Sequence, residues 1–186
     1  MTGDNFMWFP EKSGAQIQGE TSDDWFSKRN AFEVLTFSFN MSSAESTEGK
    51  SSGSGSGKAK FGSFSVDKVV DSASVPLYKA CSQGTVFPTI MLAIRKVGGS
   101  PLLYLQYIFR YNQVTGITWS GGSGQERPKE KMVFSFKAMG VQYIQQKADG
   151  REGNKQQWSW NTADQGGCTL DIKGIEPAPN FLPGSG

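Results

Sequence analysis

Residues 89–111 read TIMLAIRKV, then GGSP, then LLYLQYIFRY. Two apolar runs rich in β-branched and aromatic residues flank Gly98-Gly99-Ser100-Pro101, four residues that favour a turn. This pattern predicts a β-hairpin, with Thr89 to Val97 as one strand and Leu102 to Tyr111 as the other. The second run is apolar on both faces, so one face can fill a core and the other can meet a neighbour.

The same grammar extends outward in both directions. Phe32, Val34, Leu35, Phe37 and Phe39 lie within Ala31 to Met41, which becomes nearly period-2 from Thr36 and reads as a half-buried strand. Phe61 to Val70 places Phe64, Val66 and Lys68 on one face and Ser63, Ser65, Asp67 and Val69 on the other. Val114 to Ser120, Lys131 to Ala138 and Gly140 to Gln146 supply further strand segments, and Thr169 to Ile172 a short edge segment. One stretch, Asp71 to Gly84, reads as a helix. Ser74 is its N-cap, Pro76 stands in the first turn and Gly84 is the stop. Leu77, Ala80 and Cys81 then form a narrow apolar stripe. The fold class is all-β: a β-barrel of two packed antiparallel sheets, with one short flanking helix over about Val75 to Gln83.

Two stretches stand apart. Ser42 to Lys60 is a Ser/Gly-rich polar segment with almost no apolar residues, so it reads as a long loop. Residues 177–186, PAPNFLPGSG, read as a flexible tail after a single domain over 1–176. At 186 residues, one domain with a full core is the expectation.

Composition excludes several classes of function. The net charge of +2 is too small to point to a nucleic acid or an anionic membrane surface. Lys28-Arg29 and Lys129-Glu130-Lys131 read as solvated charges. No run of 18 apolar residues occurs, so no membrane insertion is expected. Met1 to Asp4 does not open a secretory signal. Cys81 and Cys168 are too few for a disulfide framework and read as free thiols.

With no histidine, the chain has no Ser-His-Asp or Cys-His catalysis and lacks the commonest metal ligand. Gly53 to Lys58 imitates a phosphate loop, but Ser52 and Ala59 stand where glycine and Ser/Thr are required. Asp23 and Asp24, with Glu20 nearby, could serve carboxylate chemistry, but their setting after Gly19 reads as a turn. The five tryptophans, Trp8, Trp25, Trp119, Trp158 and Trp160, could form a sugar or base platform. Scattered as they are, they read as core and interface packing. No catalytic residue, cofactor or metal is expected. Binding or assembly is favoured.

The order of the pieces adds a resemblance. Gly19-Glu20-Thr21-Ser22-Asp23-Asp24 followed by Phe32 to Phe39, then Phe61 to Leu77, resembles the opening and the "f-vtk-vDkaSp-L" stretch of the haemolysin-coregulated (Hcp) family. Ala80 to Gly84 and Phe87-Pro88-Thr89 resemble its helix end and exit. Gly121 to Pro128 followed by Glu130 to Phe136 resembles its "Gg---rP-E-v-fsf" signature. Met1 to Ile17 departs from the family's opening strand, and the segment from Gln165 runs past the common core.

The resemblance implies a homohexameric ring that stacks into the inner tube of the bacterial type VI secretion apparatus. It also implies sheath, spike and effector proteins as partners, and export from the cytoplasm without a cleaved signal peptide. It places Ser46, Glu48, Lys50, Ser54 and Lys58 on a ring-stacking loop, and Ser74, Tyr78, Lys79 and Ser82 on a helix facing the ring lumen. Two other readings remain. One is a monomeric ligand-binding barrel, and the other is an enzyme using Asp23 and Asp24.

Overall fold

A computed structural model describes residues 3–10, 17–43, 59–96, 103–124, 126–148, 150–162, 164, 166–168 and 170. The first strand, β1 (Gly3–Trp8), precedes a 3-10 turn at Ser27–Arg29. Next come β2 (Phe32–Glu33), β3 (Thr36–Ser38), β4 (Met41–Ser43), β5 (Ala59–Phe61) and β6 (Phe64–Val69). The single described α-helix, α1 (Ser74–Gln83), follows. The chain ends in β7 (Val86–Lys96), β8 (Leu103–Ser120), β9 (Lys129–Ser135), β10 (Ala138–Gln146), β11 (Glu152–Asn161) and β12 (Gly166–Gly167).

Among the described residues, ten strands form one antiparallel sheet ordered β12-β11-β10-β8-β7-β1-β2, with a branch β8-β9-β6-β3. The branch exists because β8 is 18 residues long. Its first part pairs with β7 and β10, and its later part with β9. The sheet therefore folds over on itself into two packed layers. The wall is carried round by the chain between β2 and β3, where Val34 N–H donates to Asn5 O at 2.9 Å and Leu35 N–H to Asp67 O at 2.8 Å. No unbroken ladder closes the barrel at this corner.

Several sequence expectations change here. Ala31 to Met41 is three short strands with different partners, because the chain must leave the β1 ladder and join β6; Leu35 is exposed at the turn between them. The runs 102–111 and 114–120 are one strand, bent at Tyr111 (φ 53°) and bulged between Val114 and Gly116. Met1 to Ile17 does contribute a strand: β1 pairs on both sides, with β7 and with the short edge strand β2. The paired residues of β7 and β8 are antiparallel as expected, while the GGSP turn lies outside the described residues. Most of Thr169 to Ile172 also lies outside them; the edge strand observed is β12.

Alternation along the central strands fills two cores. Met7, Ile90, Leu92, Ile94 and Phe109 point into the barrel, where Phe64 stacks on Phe109 with centroids 4.4 Å apart and Phe134 lies beside it. Phe6, Trp8, Met91, Ala93 and Ile108 point the other way. There the segment around the 3-10 turn covers them, with Phe26 stacked on Phe6 at 3.9 Å and Trp25 edge-on to Trp8. This second core explains why residues 89–111 are apolar on both faces. The outward face of β8, expected to meet a neighbour, is covered at Leu103 and Ile108 by residues of the same chain. Each large side chain buried in these cores contributes about 1.5–3 kcal/mol of transfer free energy.

Candidate assembly surface

Helix α1 lies against β8, with Leu77 and Ala80 fully buried and Cys81 packed at the edge of the core. Its C-terminus is Gly84, left-handed at φ 65°, whose N–H reaches Ala80 O and Cys81 O. Its N-terminus differs from the sequence expectation. Ser74 is the first helical residue rather than the cap, Ala73 holds the cap position, and the Asp71 carboxylate accepts the Ala73 N–H at 2.9 Å.

The Ser74 hydroxyl is used elsewhere. It donates to Glu130 at 2.6 Å and accepts from Lys68 Nζ at 3.1 Å. Lys68 also lies 2.7 Å from Glu130, pairs with Asp71, donates to Val69 O at 3.0 Å, and sits 5.0 Å from the centroid of the Phe32 ring. The other Glu130 oxygen accepts Trp119 Nε1–H at 2.7 Å. The side chains of Lys68 and Glu130 are 0% exposed. β6, β9, the turn before α1, the helix itself and the far end of β8 thus meet in one buried ionic cluster. The reading of Glu130 as a solvated charge is corrected: it follows the inward phase of Met132 and Phe134. The alternation that put Lys68 with Phe64 and Val66 was the signal for its partner.

The four lumen candidates separate accordingly. Ser74 is removed from the surface, because its hydroxyl is consumed by the cluster and the residue is fully buried. Tyr78, Lys79 and Ser82 are exposed on the outer helix face, and the Ser82 hydroxyl donates to Lys79 O. Sequence reasoning missed their neighbours. Val75 is 67% exposed, and Trp119 packs beside Tyr78 with centroids 5.4 Å apart. Together these residues make an apolar stripe with a polar rim.

A second aromatic surface lies at the other end of the sheet. Strand β11 overhangs the barrel, with Trp158 and Trp160 near-parallel at 5.8 Å and Phe61 stacked on Trp158 at 6.5 Å. A cleft of about 460 Å³ opens alongside, lined by Lys60, Phe61, Ser63, Ser135, Phe136 and Thr162. The expected long loop starts and ends here. Ser42-Ser43 and Ala59-Lys60 pair as the β4–β5 ribbon, while Ser46, Glu48, Lys50, Ser54 and Lys58 lie outside the described residues. The tryptophans divide between roles: Trp8 and Trp25 are core, whereas Trp119 and Trp158 are exposed.

Asp23 and Asp24 do not form a paired site. Asp23 accepts the N–H groups of Trp25 and Phe26, each at 3.0 Å, and binds Arg95 at 2.5 Å. Burial opposes its ionisation, but the Phe26 N–H, Arg95 and the Trp25 N–H outweigh that and hold its pKa below the ordinary carboxylate value. Among the described residues no cluster of three His, Cys, Asp or Glu is placed to hold a metal. No described helix is long and apolar enough to cross a membrane.

These features define an antiparallel barrel with a solid interior, a single docked helix and two exposed aromatic surfaces. A family model described as type VI secretion system effector, Hcp, matches residues 6–143. The chain belongs to the Hcp family. It is 33% identical over 100 residues to Protein hcp1 of Pseudomonas aeruginosa, a match covering 53% of this chain and 62% of that protein's length. Among solved structures, a type six secretion system protein superposes with a TM-score of 0.78 at 29% identity, covering 89% of this chain and 99% of that one. Hcp1 from Salmonella typhimurium superposes with a TM-score of 0.68, also at 29% identity, covering 88% and 97%.

Proposed function

We propose that this chain is a structural subunit of the type VI secretion inner tube. It forms homohexameric rings that stack, and it leaves the bacterial cytoplasm through that machine without a cleaved signal peptide. Family membership over residues 6–143 carries this reading. A closed ring requires two different surfaces of the same chain to meet head to tail. The exposed Val75 and Trp119 on one side, and the exposed Trp158 with the half-buried Phe61 and Trp160 beside it on the other, are apolar surfaces that can supply such contacts. Residues Ser46, Glu48, Lys50, Ser54 and Lys58 form the ring-stacking contact. Their polarity makes stacking weak and concentration dependent. The exposed side chains Tyr78, Lys79 and Ser82 face the lumen, where effectors are held. Sheath and spike proteins are the remaining partners.

The chain acts by assembly and catalyses no reaction. Phe64, Phe109 and Phe134 fill the barrel interior, which supports assembly over the monomeric ligand-binding alternative. The test is the solution mass by light scattering on a size-exclusion column. A mass of about six chains is expected, and deletion of residues 44–58 should abolish higher stacks but keep the ring. A monomer at tens of micromolar would overturn the proposal.

A further inference from the structure

The bend of β8 carries two costs at adjacent residues. Tyr111 holds a left-handed backbone, φ 53°, and its side chain is 61% exposed. Asn30 is the other described non-glycine residue with positive φ, and asparagine tolerates that region where a bulky tyrosine is strained. Asn112 is fully buried. Its side-chain N–H groups donate to Phe109 O at 2.9 Å and Phe87 O at 3.3 Å, but its side-chain oxygen has no partner. Glycine or asparagine would sit at position 111 without the strain. The apolar exposure continues beside it. The register sets Tyr111 opposite Pro88 of β7. Burial alternates there: Phe87 and Thr89 are buried, while Val86 and Pro88 are exposed. Residues 86–90 lie beyond the β1 ladder, so among the described residues this stretch of β7 pairs with β8 alone. Proline in a strand stands where its missing N–H would face an open edge, and there it discourages a further strand from pairing. Contact at this edge therefore runs through side chains. The β9–β10 turn adjoins the bend: Lys137 N–H donates to Arg110 O at 3.0 Å, and Gln113 lies opposite Ser135. Ser135 and Phe136 line the cleft beside Phe61, which makes the patch continuous with the overhang surface.

We infer that Tyr111, with Val86 and Pro88, is a subunit contact of the ring, covered by a neighbouring copy of this chain. The inference rests on the ring reading above and adds a residue that serves assembly at the expense of the subunit's own stability. Backbone strain and an unmade buried hydrogen bond gather where a fold gives up stability for a use. Here the strained residue points its side chain to solvent, so the use lies outside the chain. Tyrosine suits such a contact, because it covers a large apolar area with few rotatable bonds and dominates many subunit interfaces. Pro88 keeps the open edge from recruiting a strand, while Val86 and Tyr111 offer the apolar area.

The test compares the full chain with Tyr111→Asn, which fits the same backbone without strain. Light scattering over a dilution series gives the concentration at which half of the protein is ring. Where the parent ring outlasts the series, urea below the unfolding range is added equally to both chains. The half-ring concentration of the variant is expected to rise about tenfold or more, as loss of an aromatic anchor requires. Urea unfolding followed by tryptophan fluorescence, at a concentration below ring formation, measures the lone subunit. There the variant is expected to be at least as stable as the parent, an outcome that a residue serving only the fold would not give. Tyr111→Gly is the second variant if the first does not fold. A folded variant with an unmoved half-ring concentration overturns this inference and leaves the ring reading standing. So does a lone subunit destabilised in both variants, since Tyr111 then serves the fold. A parent that stays monomeric at tens of micromolar overturns the ring reading and this inference together.

Discussion

Arg95 on β7 lies 2.5 Å from the Asp23 carboxylate and thereby pins the segment that covers the second core. Its other arm reaches Asp4 on β1 at 3.0 Å. One guanidinium thus joins two strands and the segment before the 3-10 turn, its two terminal nitrogens each donating to a different carboxylate, a bridge that suits the planar fork of arginine.

Asp23→Asn should therefore loosen that cover. The folded chain holds the Asp23 carboxyl below its ordinary value. Its contribution is fully present above the value of the unfolded chain and is lost as pH falls through the acid range. A loss of about 1–2 kcal/mol is expected at neutral pH, and the difference from the parent should shrink toward about pH 3. Urea denaturation at several pH values measures both.

Lys68→Met should be among the most damaging substitutions in the chain, because it strands Glu130 and Asp71 in the interior. A loss of about 3–5 kcal/mol is expected. The double variant Lys68→Met, Glu130→Leu should recover part of it, since of the two carboxylates only Asp71, at the partly exposed edge of the cluster, is then left without its cation. A double-mutant cycle in thermal denaturation tests this, and a double variant as unstable as the single one would contradict it.

Gly19 stands where its N–H reaches Asn30 O at 2.9 Å, and an added Cβ would lie 2.3 Å from Ala31 O. Gly19→Ala must push the two segments apart. A destabilisation of about 1–3 kcal/mol follows from overpacking against backbone, read as a lowered Tm. The acidic turn of the family resemblance begins at this glycine.

Gln106 is 2% exposed, and its side-chain oxygen is buried without a hydrogen-bond partner. The register sets it opposite Gln142, whose amide donates instead to Gln157 at 3.3 Å. Gln106→Met removes an unsatisfied acceptor at similar volume. Stability should stay level or rise by about 1 kcal/mol, checked by the urea midpoint.

Most of the strand segments were legible because the central strands carry long apolar runs, and Gly84 marked the helix end by its need for a left-handed residue. β11 escaped notice. Glu152 to Asn161 is polar throughout except for Trp158 and Trp160, because the strand overhangs the barrel and has little to bury. The break after Phe32 escaped for the opposite reason. The alternation runs on through Phe39, but the partners change at Leu35, and only tertiary contacts decide that. At the candidate surface, Tyr78, Lys79 and Ser82 were named from the family resemblance, and α1 leaves all three exposed. Glu130 was misjudged because its charged neighbours suggested a solvated run, although its spacing to Met132 and Phe134 points inward.

The double service of β8 has a consequence for the order of events in biosynthesis. Its pairings with β7 and β9 join segments close along the chain, so they close small loops and form early. The ladder of β1 joins Gly3 to Lys96, and that of β3 joins Thr36 to Asp67, so each waits on a larger closure. Strand β1 is therefore left without its main partner until β7 has been made. Synthesis must run some eighty residues or more past β1 before that strand can find its place in the wall.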